Sequence, residues 1–195
     1  MIDTVYMSGE VQSLRERLID CGRELLDEGG IDAVGLRAVA RRAGVSHGAP
    51  RRYFPTHKAL LAAVAASGFA ELSEDLRSAT ASETDPVERL RQTAHRYLAF
   101  ADTHRTLYEL MFRHDLLEGS GQDLRQHSAP LFAFVVALVA DAGAAEPDVV
   151  ALNLWTHLHG VATLRTARSI DVIVGDFDAG SYAAQLIELH LRARG

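Results

Sequence analysis

The chain has 195 residues, 48% of them hydrophobic and 24% charged, with a formal net charge of −6; this balance suits one compact unit or a small head on a larger body, and it excludes disorder. A single cysteine, Cys21, excludes an intramolecular disulfide, and no Cys/His cluster has zinc-finger spacing. No apolar run approaches the ~18 residues of a membrane span, and the start lacks the basic region and apolar core of a signal peptide, so a reducing cytoplasm is expected and no membrane partner.

Residues 1–10 show no periodicity and read as an arm; they carry Asp3 and Glu10 but no basic residue, which argues against an Arg-rich minor-groove arm, and Met7 offers an alternative start. From Val11 the spacing Val11, Leu14, Leu18, Cys21, Leu25 predicts a helix that ends at Glu28-Gly29-Gly30. Cys21 is expected in the core, since a free cysteine behaves as a small hydrophobe.

The next stretch changes character. Residues 36–58 hold Arg37, Arg41, Arg42, Arg51, Arg52 and Lys58 without one Asp or Glu, in an otherwise acidic chain. Leu36, Val39, Ala40 and Ala43 repeat at three- and four-residue spacing and predict a short helix with a basic outer face. Gly44 ends it, Ser46 is the expected N-cap of a second short helix, Pro50 lies near that helix's start and Tyr53-Phe54-Pro55 closes it. The first helix should pack across both, burying Leu14, Leu18 and Leu25 against Val39, Val45 and Phe54. Helix, glycine-containing turn, helix is the spacing of a helix-turn-helix.

Leu36 to Leu60, with Ala-Gly-Val-Ser at 43 to 46, Gly48, Tyr53-Phe54-Pro55 and a basic residue before Ala59-Leu60, closely resembles the DNA-binding segment of the TetR (tetracycline-repressor-like) family. The resemblance covers roughly residues 11 to 61 and implies a one-component transcription regulator. Ser46, His47, Ala49 and Arg51 would meet base edges in the major groove, Gly48 would let the backbone come close, and Arg37, Arg42 and Lys58 would touch phosphates, with Arg52 beside them. Tyr53 serves either a phosphate contact or packing between helices. Two positions depart from the family pattern: Arg51 stands where Tyr is usual and His57 where Lys is usual, both associated with phosphate contact.

Beyond this segment the pattern stays helical. A fourth helix is predicted from His57 to about Ser78, linking the basic segment to the rest; a polar loop follows to Pro86. Val87 to Ala101 continues as a helix with a break near His104 and a short stretch around Leu107 to Met111. Another helix spans roughly 123 to 142, kinked or restarted at Pro130. Pro147 opens a long helix through about Arg168; the loop from Asp171 to Gly180 has Val172-Ile173-Val174 briefly extended, and a final helix carries Tyr182, Leu186, Leu189 and His190. The fold class is all-α with about nine helices: a DNA-binding head over residues 11–60 and an effector-binding and dimerisation body over 61–195.

Two constellations in the body bear on function. Trp155, His159 and Gly160 stand in Leu-Trp-Thr-His-Leu-His-Gly-Val, with the first two at i and i+4 on one helical face and Gly160 permitting close approach of a neighbouring helix. This resembles the Trp-x-x-x-His-Gly pattern of one TetR C-terminal subgroup; the pair reads either as core or as lining of an effector pocket. The aromatic and methionine stripe of Tyr97, Phe100, Leu107, Tyr108, Met111, Phe112 and Phe134 is likewise core or pocket, with His95, Tyr97, Tyr108 and His159 as polar anchors in the pocket reading. The histidines have no metal-binding spacing, and there is no nucleophile elbow or phosphate loop, so no metal, cofactor or enzymatic activity is expected.

The last two helices, through Ala162, Ala167, Ala183, Ala184, Leu186, Ile187 and Leu189, are the expected homodimer interface. The resemblance thus implies a homodimeric repressor that binds a palindromic double-stranded DNA operator and is released by a small-molecule effector. The alternative is a helical ligand-binding or protein-interaction module with a degenerate helix-turn-helix.

Overall fold

The first helix begins where Ser13 and Glu16 close a capping box. In the computed structural model, which describes residues 12–192, the Ser13 hydroxyl accepts the Glu16 N–H at 3.2 Å and the Glu16 carboxylate accepts the Ser13 N–H at 2.9 Å. Helix α1 (Leu14–Gly29) buries Leu18, Ile19, Leu25 and Leu26, and Gly30 ends it at φ 71°. Leu14 and Cys21 are only partly buried, so the cysteine borders the core instead of sitting within it; burial still pushes its thiol pKa up. The arm over residues 1–10 and the choice between Met1 and Met7 lie outside the described residues.

After a 3-10 turn (Ile31–Ala33), α2 (Leu36–Arg42) buries Val39 and Ala40, and Gly44 at φ 67° turns the chain as expected. The second short helix of the motif is smaller than the spacing predicts. It is a single 3-10 turn, Ala49–Arg52, and the Ser46 side chain caps nothing; its carbonyl instead accepts the Ala49 N–H at 3.0 Å. Pro50 supplies no N–H and Tyr53-Phe54-Pro55 follows at once, leaving too few residues for an α-helical ladder. Phe54 is wholly buried and Val45 partly.

Helix α3 (His57–Thr80), capped by the Thr56 hydroxyl on the Ala59 N–H at 3.0 Å, is buried without interruption from Ala59 to Ala66. Two glycines bring helices close to it. A Cβ on Gly22 of α1 would lie 2.9 Å from Val64 Cγ2, and one on Gly68 would lie 2.7 Å from Met111 Sδ. One hydrophobic cluster therefore runs from Leu18 through α3 to Ile187.

Asp85 caps α4 (Pro86–Thr103) by accepting the N–H groups of Val87 and Glu88 at 2.8 and 3.0 Å. The break near His104 separates α4 from α5 (Arg105–Met111); α6 (His114–Leu117) and α7 (Arg125–Asp141) follow, the latter helical through Pro130. Helix α8 (Pro147–Thr166) is as long as the sequence implied, and α10 (Ala179–Arg192) ends the described chain. Between them, Val172-Ile173-Val174 is not extended: it lies in a short helix, α9 (Ser169–Val174), set off by Arg168 at φ 55° and Gly175 at φ 73°. No strand among the described residues offers it a ladder, so helical hydrogen bonds satisfy its backbone. Ten α-helices thus stand among the described residues, where about nine were expected.

The residues expected at a homodimer interface divide by burial. Ala162, Ala183, Leu186 and Ile187 are buried within the chain itself, whereas Val149, Leu152, Leu164, Ala167 and Leu189 on α8, its C-terminal end and α10 remain exposed.

Candidate nucleic-acid interface and effector cavity

The basic segment divides into cations that hold the fold and cations left in solvent. Arg42 reaches back to α1, where its guanidinium pairs with Glu28 at 2.7 Å and with Glu24 at 3.2 Å; these bonds hold the Glu28 carboxyl below its ordinary range and lift the Arg42 pKa. Arg17 completes the joint by donating to the Ala43 carbonyl at 3.0 Å. The phosphate contact expected of Arg42 therefore competes with two carboxylates. His57 Nε2 donates to the Val34 carbonyl, and Lys58, the one lysine in the chain, donates to the Glu118 carbonyl at 3.1 Å. Both are structural ties in this state.

Arg37, Arg51 and Arg52, by contrast, are exposed and have no hydrogen-bond or ion-pair partner among the described residues. Ser46, His47 and Gly48 are exposed beside them, and Ala49 is partly buried. A Cβ on Gly48 would meet nothing within 4 Å, so the backbone there is open to close approach. The Tyr53 ring is 42% exposed and 6.4 Å from that of Phe54, so it is free at one edge and packed at the other. Unpaired guanidinium groups on a short exposed turn suit bidentate bonds to guanine or phosphate.

At the other end of α3 a cavity of about 630 Å³ opens between α3, α4, α7 and α8. Its wall is mostly apolar, with Phe69, Leu76, Leu90, Leu131, Phe132, Val135, Trp155, Leu158 and Ile187 among the lining residues. Of the sequence candidates, Tyr97, Phe112 and Trp155 stand on this wall. Tyr108 and His159 lie directly behind it. His95 is exposed on α4, Phe100 packs on the His104 ring at 4.8 Å, Met111 fills the space beside Gly68, and Phe134 lies under the Arg77 guanidinium at 5.8 Å; none of the four lines the cavity. Several apolar α7 residues are half-buried because they face empty volume, which their hydrophobicity alone could not reveal.

Behind the wall is a polar knot. Burial pushes the His159 pKa down and so favours the neutral imidazole, whose Nδ1 accepts in the Nε2–H tautomer. In that tautomer a phenol donates to Nδ1: the Tyr108 hydroxyl lies 2.7 Å and the Tyr97 hydroxyl 3.0 Å from it, and the two hydroxyls share a hydrogen bond of 3.0 Å. Burial lifts both phenols, Tyr108 up to about 12 and Tyr97 well above its ordinary value. Trp155 stacks on His159 with ring centroids 5.4 Å apart, as i and i+4 spacing implied. Gly160 differs from expectation: a Cβ there would meet no heavy atom within 4 Å, so no helix among the described residues closes on it.

A titration follows from this knot. The unfolded chain protonates His159 near 6.5, the folded chain at a lower pH, so its contribution to stability is complete above about 6.5 and is lost as pH falls through the folded value. The His159 ring protons, followed by NMR, are expected to titrate below the ordinary imidazole midpoint; a midpoint at or above 6.5 would contradict the neutral knot.

Family models describe these two regions separately. Residues 18–64 match the model of bacterial regulatory proteins of the tetR family, and residues 90–189 match that of the tetracyclin repressor-like C-terminal domain. The chain belongs to the TetR family. Membership places it among bacterial regulatory proteins with a tetracyclin repressor-like C-terminal domain. Among curated relatives, the transcriptional repressor KstR of Rhodococcus jostii RHA1 is 38% identical over 77 residues, which cover 40% of this chain and 35% of that protein. KstR of Mycobacterium tuberculosis is 39% identical over 77 residues, 39% of this chain and 34% of that protein. The match thus spans about a third of the length of these relatives. Over the whole TetR fold, a protein of unknown function from Rhodococcus sp. RHA1 superposes with a TM-score of 0.80 at 28% identity, covering 96% of this chain and 98% of the other. A TetR variant from Acinetobacter baumannii AYE, solved with minocycline, shares the fold at a TM-score of 0.70 and 19% identity, with 94% and 99% coverage.

Proposed function

We propose that this TetR-family chain is a homodimeric transcriptional repressor in the cytoplasm, that residues 11–60 read a palindromic operator, and that residues 61–195 bind a predominantly apolar effector which releases it. The single observation that carries the proposal is α3. One helix starts beside the unpaired Arg51 and Arg52, and further along it Phe69 and Leu76 form part of the cavity wall. An occupant that shifts α3 changes the placement of the basic turn; coupling of this kind is typically about 1 to 3 kcal/mol, a roughly 5- to 150-fold change in DNA affinity.

Repression is carried over from the KstR relatives, and a small-molecule effector from the minocycline-bound neighbour. Dimerisation is supported by the exposed Leu152, Leu164 and Leu189 on α8 and α10 and by the open space at Gly160. In a two-fold dimer the two basic turns would lie about 34 Å apart or a multiple of it. The test is selection of bound sequences from a random duplex pool at two salt concentrations. A palindromic consensus with steep salt dependence is expected; weak, sequence-indifferent binding would instead favour a ligand-binding module with a degenerate helix-turn-helix.

A further inference from the structure

The cavity is elongated and its charges are sorted by end. Its wall follows α7 from Arg125 to Val136 and α8 from Asp148 to Leu158; at 1.5 Å per residue each stretch is about 15 Å long. Only residues 142–146 join α7 to α8, so the helices run antiparallel and Arg125 and Asp148 mark opposite ends. Between them the two helices present apolar side chains, among them Leu131, Phe132, Val135 and Leu158.

Arg125 is unusual among the arginines of these helices. Arg89, Arg91 and Arg96 on α4 and Arg165 on α8 each face a carboxylate and Arg77 on α3 donates to the Ser73 hydroxyl, whereas the Arg125 guanidinium, like that of Arg105 on α5, has no hydrogen-bond or ion-pair partner among the described residues. Ser128 lies one turn along the same face of α7, lines the cavity too, and its hydroxyl has no protein partner among them either. A fork of donors at one end of an apolar trough is complementary to a carboxylate or similar anion. Asp148 at the far end repels the same anion.

We infer that the cavity takes an elongated amphipathic anion, with its anionic group at Arg125 and Ser128 and an apolar body of about 15 Å laid along α7 and α8. The inference rests on the cavity being the effector site. The opposed end charges leave such a molecule one favourable direction.

Trp155 is the only tryptophan and lies on the wall, so its emission reports occupancy. Full-length protein is titrated with dodecanoate, 1-dodecanol and dodecylamine, each below the concentration at which it forms micelles. Dodecanoate is expected to bind at least about tenfold more tightly than dodecylamine, and Arg125→Glu to lower the ratio of dodecanoate to dodecanol affinity by at least about tenfold. Equal binding of the three, or binding of none, overturns the ligand class; an unchanged ratio in Arg125→Glu overturns the placement of the anion. Operator affinity measured with and without dodecanoate separates the two readings: selective binding that leaves operator affinity unchanged upholds the ligand class and removes the effector role.

Discussion

Phe54→Ala is expected to lower the free energy of unfolding by about 3 to 5 kcal/mol, a large fraction of the roughly 5 to 15 kcal/mol that holds a typical domain. The ring is 0% exposed, with the Arg15 guanidinium 5.6 Å from its centroid. It follows a 3-10 turn of only four residues, Ala49–Arg52, which has little hydrogen-bonded structure of its own to keep it in place. Removing the ring leaves a void between the turn and the rest of the core, and the turn cannot collapse inward without bringing the charged Arg51 and Arg52 with it. Urea unfolding followed by circular dichroism measures the loss. A change below about 1 kcal/mol would mean that the turn is not part of the cooperative unit.

The second large effect is on DNA. Arg51→Ala combined with Arg52→Ala is expected to reduce specific operator affinity at least about thirtyfold, since a bidentate contact to a base contributes about 1 to 3 kcal/mol and each lost phosphate contact lowers the salt slope by about 0.9. The single substitutions divide the roles. Loss of preference at one base position in Arg51→Ala marks it as a base contact; an unchanged preference with a shallower salt slope marks it as a phosphate contact. Both arginines are exposed and unpaired among the described residues, so stability should change by less than about 0.5 kcal/mol. Unchanged operator affinity in the double variant would remove the turn from the interface.

Most helix boundaries set by a local signal were legible, the expected Ser46 cap being an exception. Gly44, Asp85-Pro86, the break at His104 and Pro147 all act through backbone geometry within a few residues, and the chain obeys them. The Trp155 and His159 pairing was legible for the same reason, because i and i+4 positions share a face. Local pattern failed where the outcome depends on distant partners. Val172 to Val174 have strand-forming side chains but no strand among the described residues to join. Arg42 reads as a surface cation until α1 brings Glu24 and Glu28 beside it. Ala183 and Ile187 read as interface until α4 and α8 are seen to cover α10. The cavity was hidden more deeply: a leucine facing a void and one facing another leucine follow the same periodicity, and only the packing of α3, α4, α7 and α8 together decides which is which.

The uninterrupted burial of α3 bears on how regulators of this kind can be recombined. Val64 belongs to the joint with Gly22 of α1, while Gly68, one turn later, belongs to the joint with Leu107 and Met111. A hybrid that grafts this operator reader onto another sensor has no slack linker to cut, and a splice ahead of Val64 would set one protein's α1 against another's α3. The crossover that leaves both joints native falls within residues 65–67, a span shorter than one helical turn.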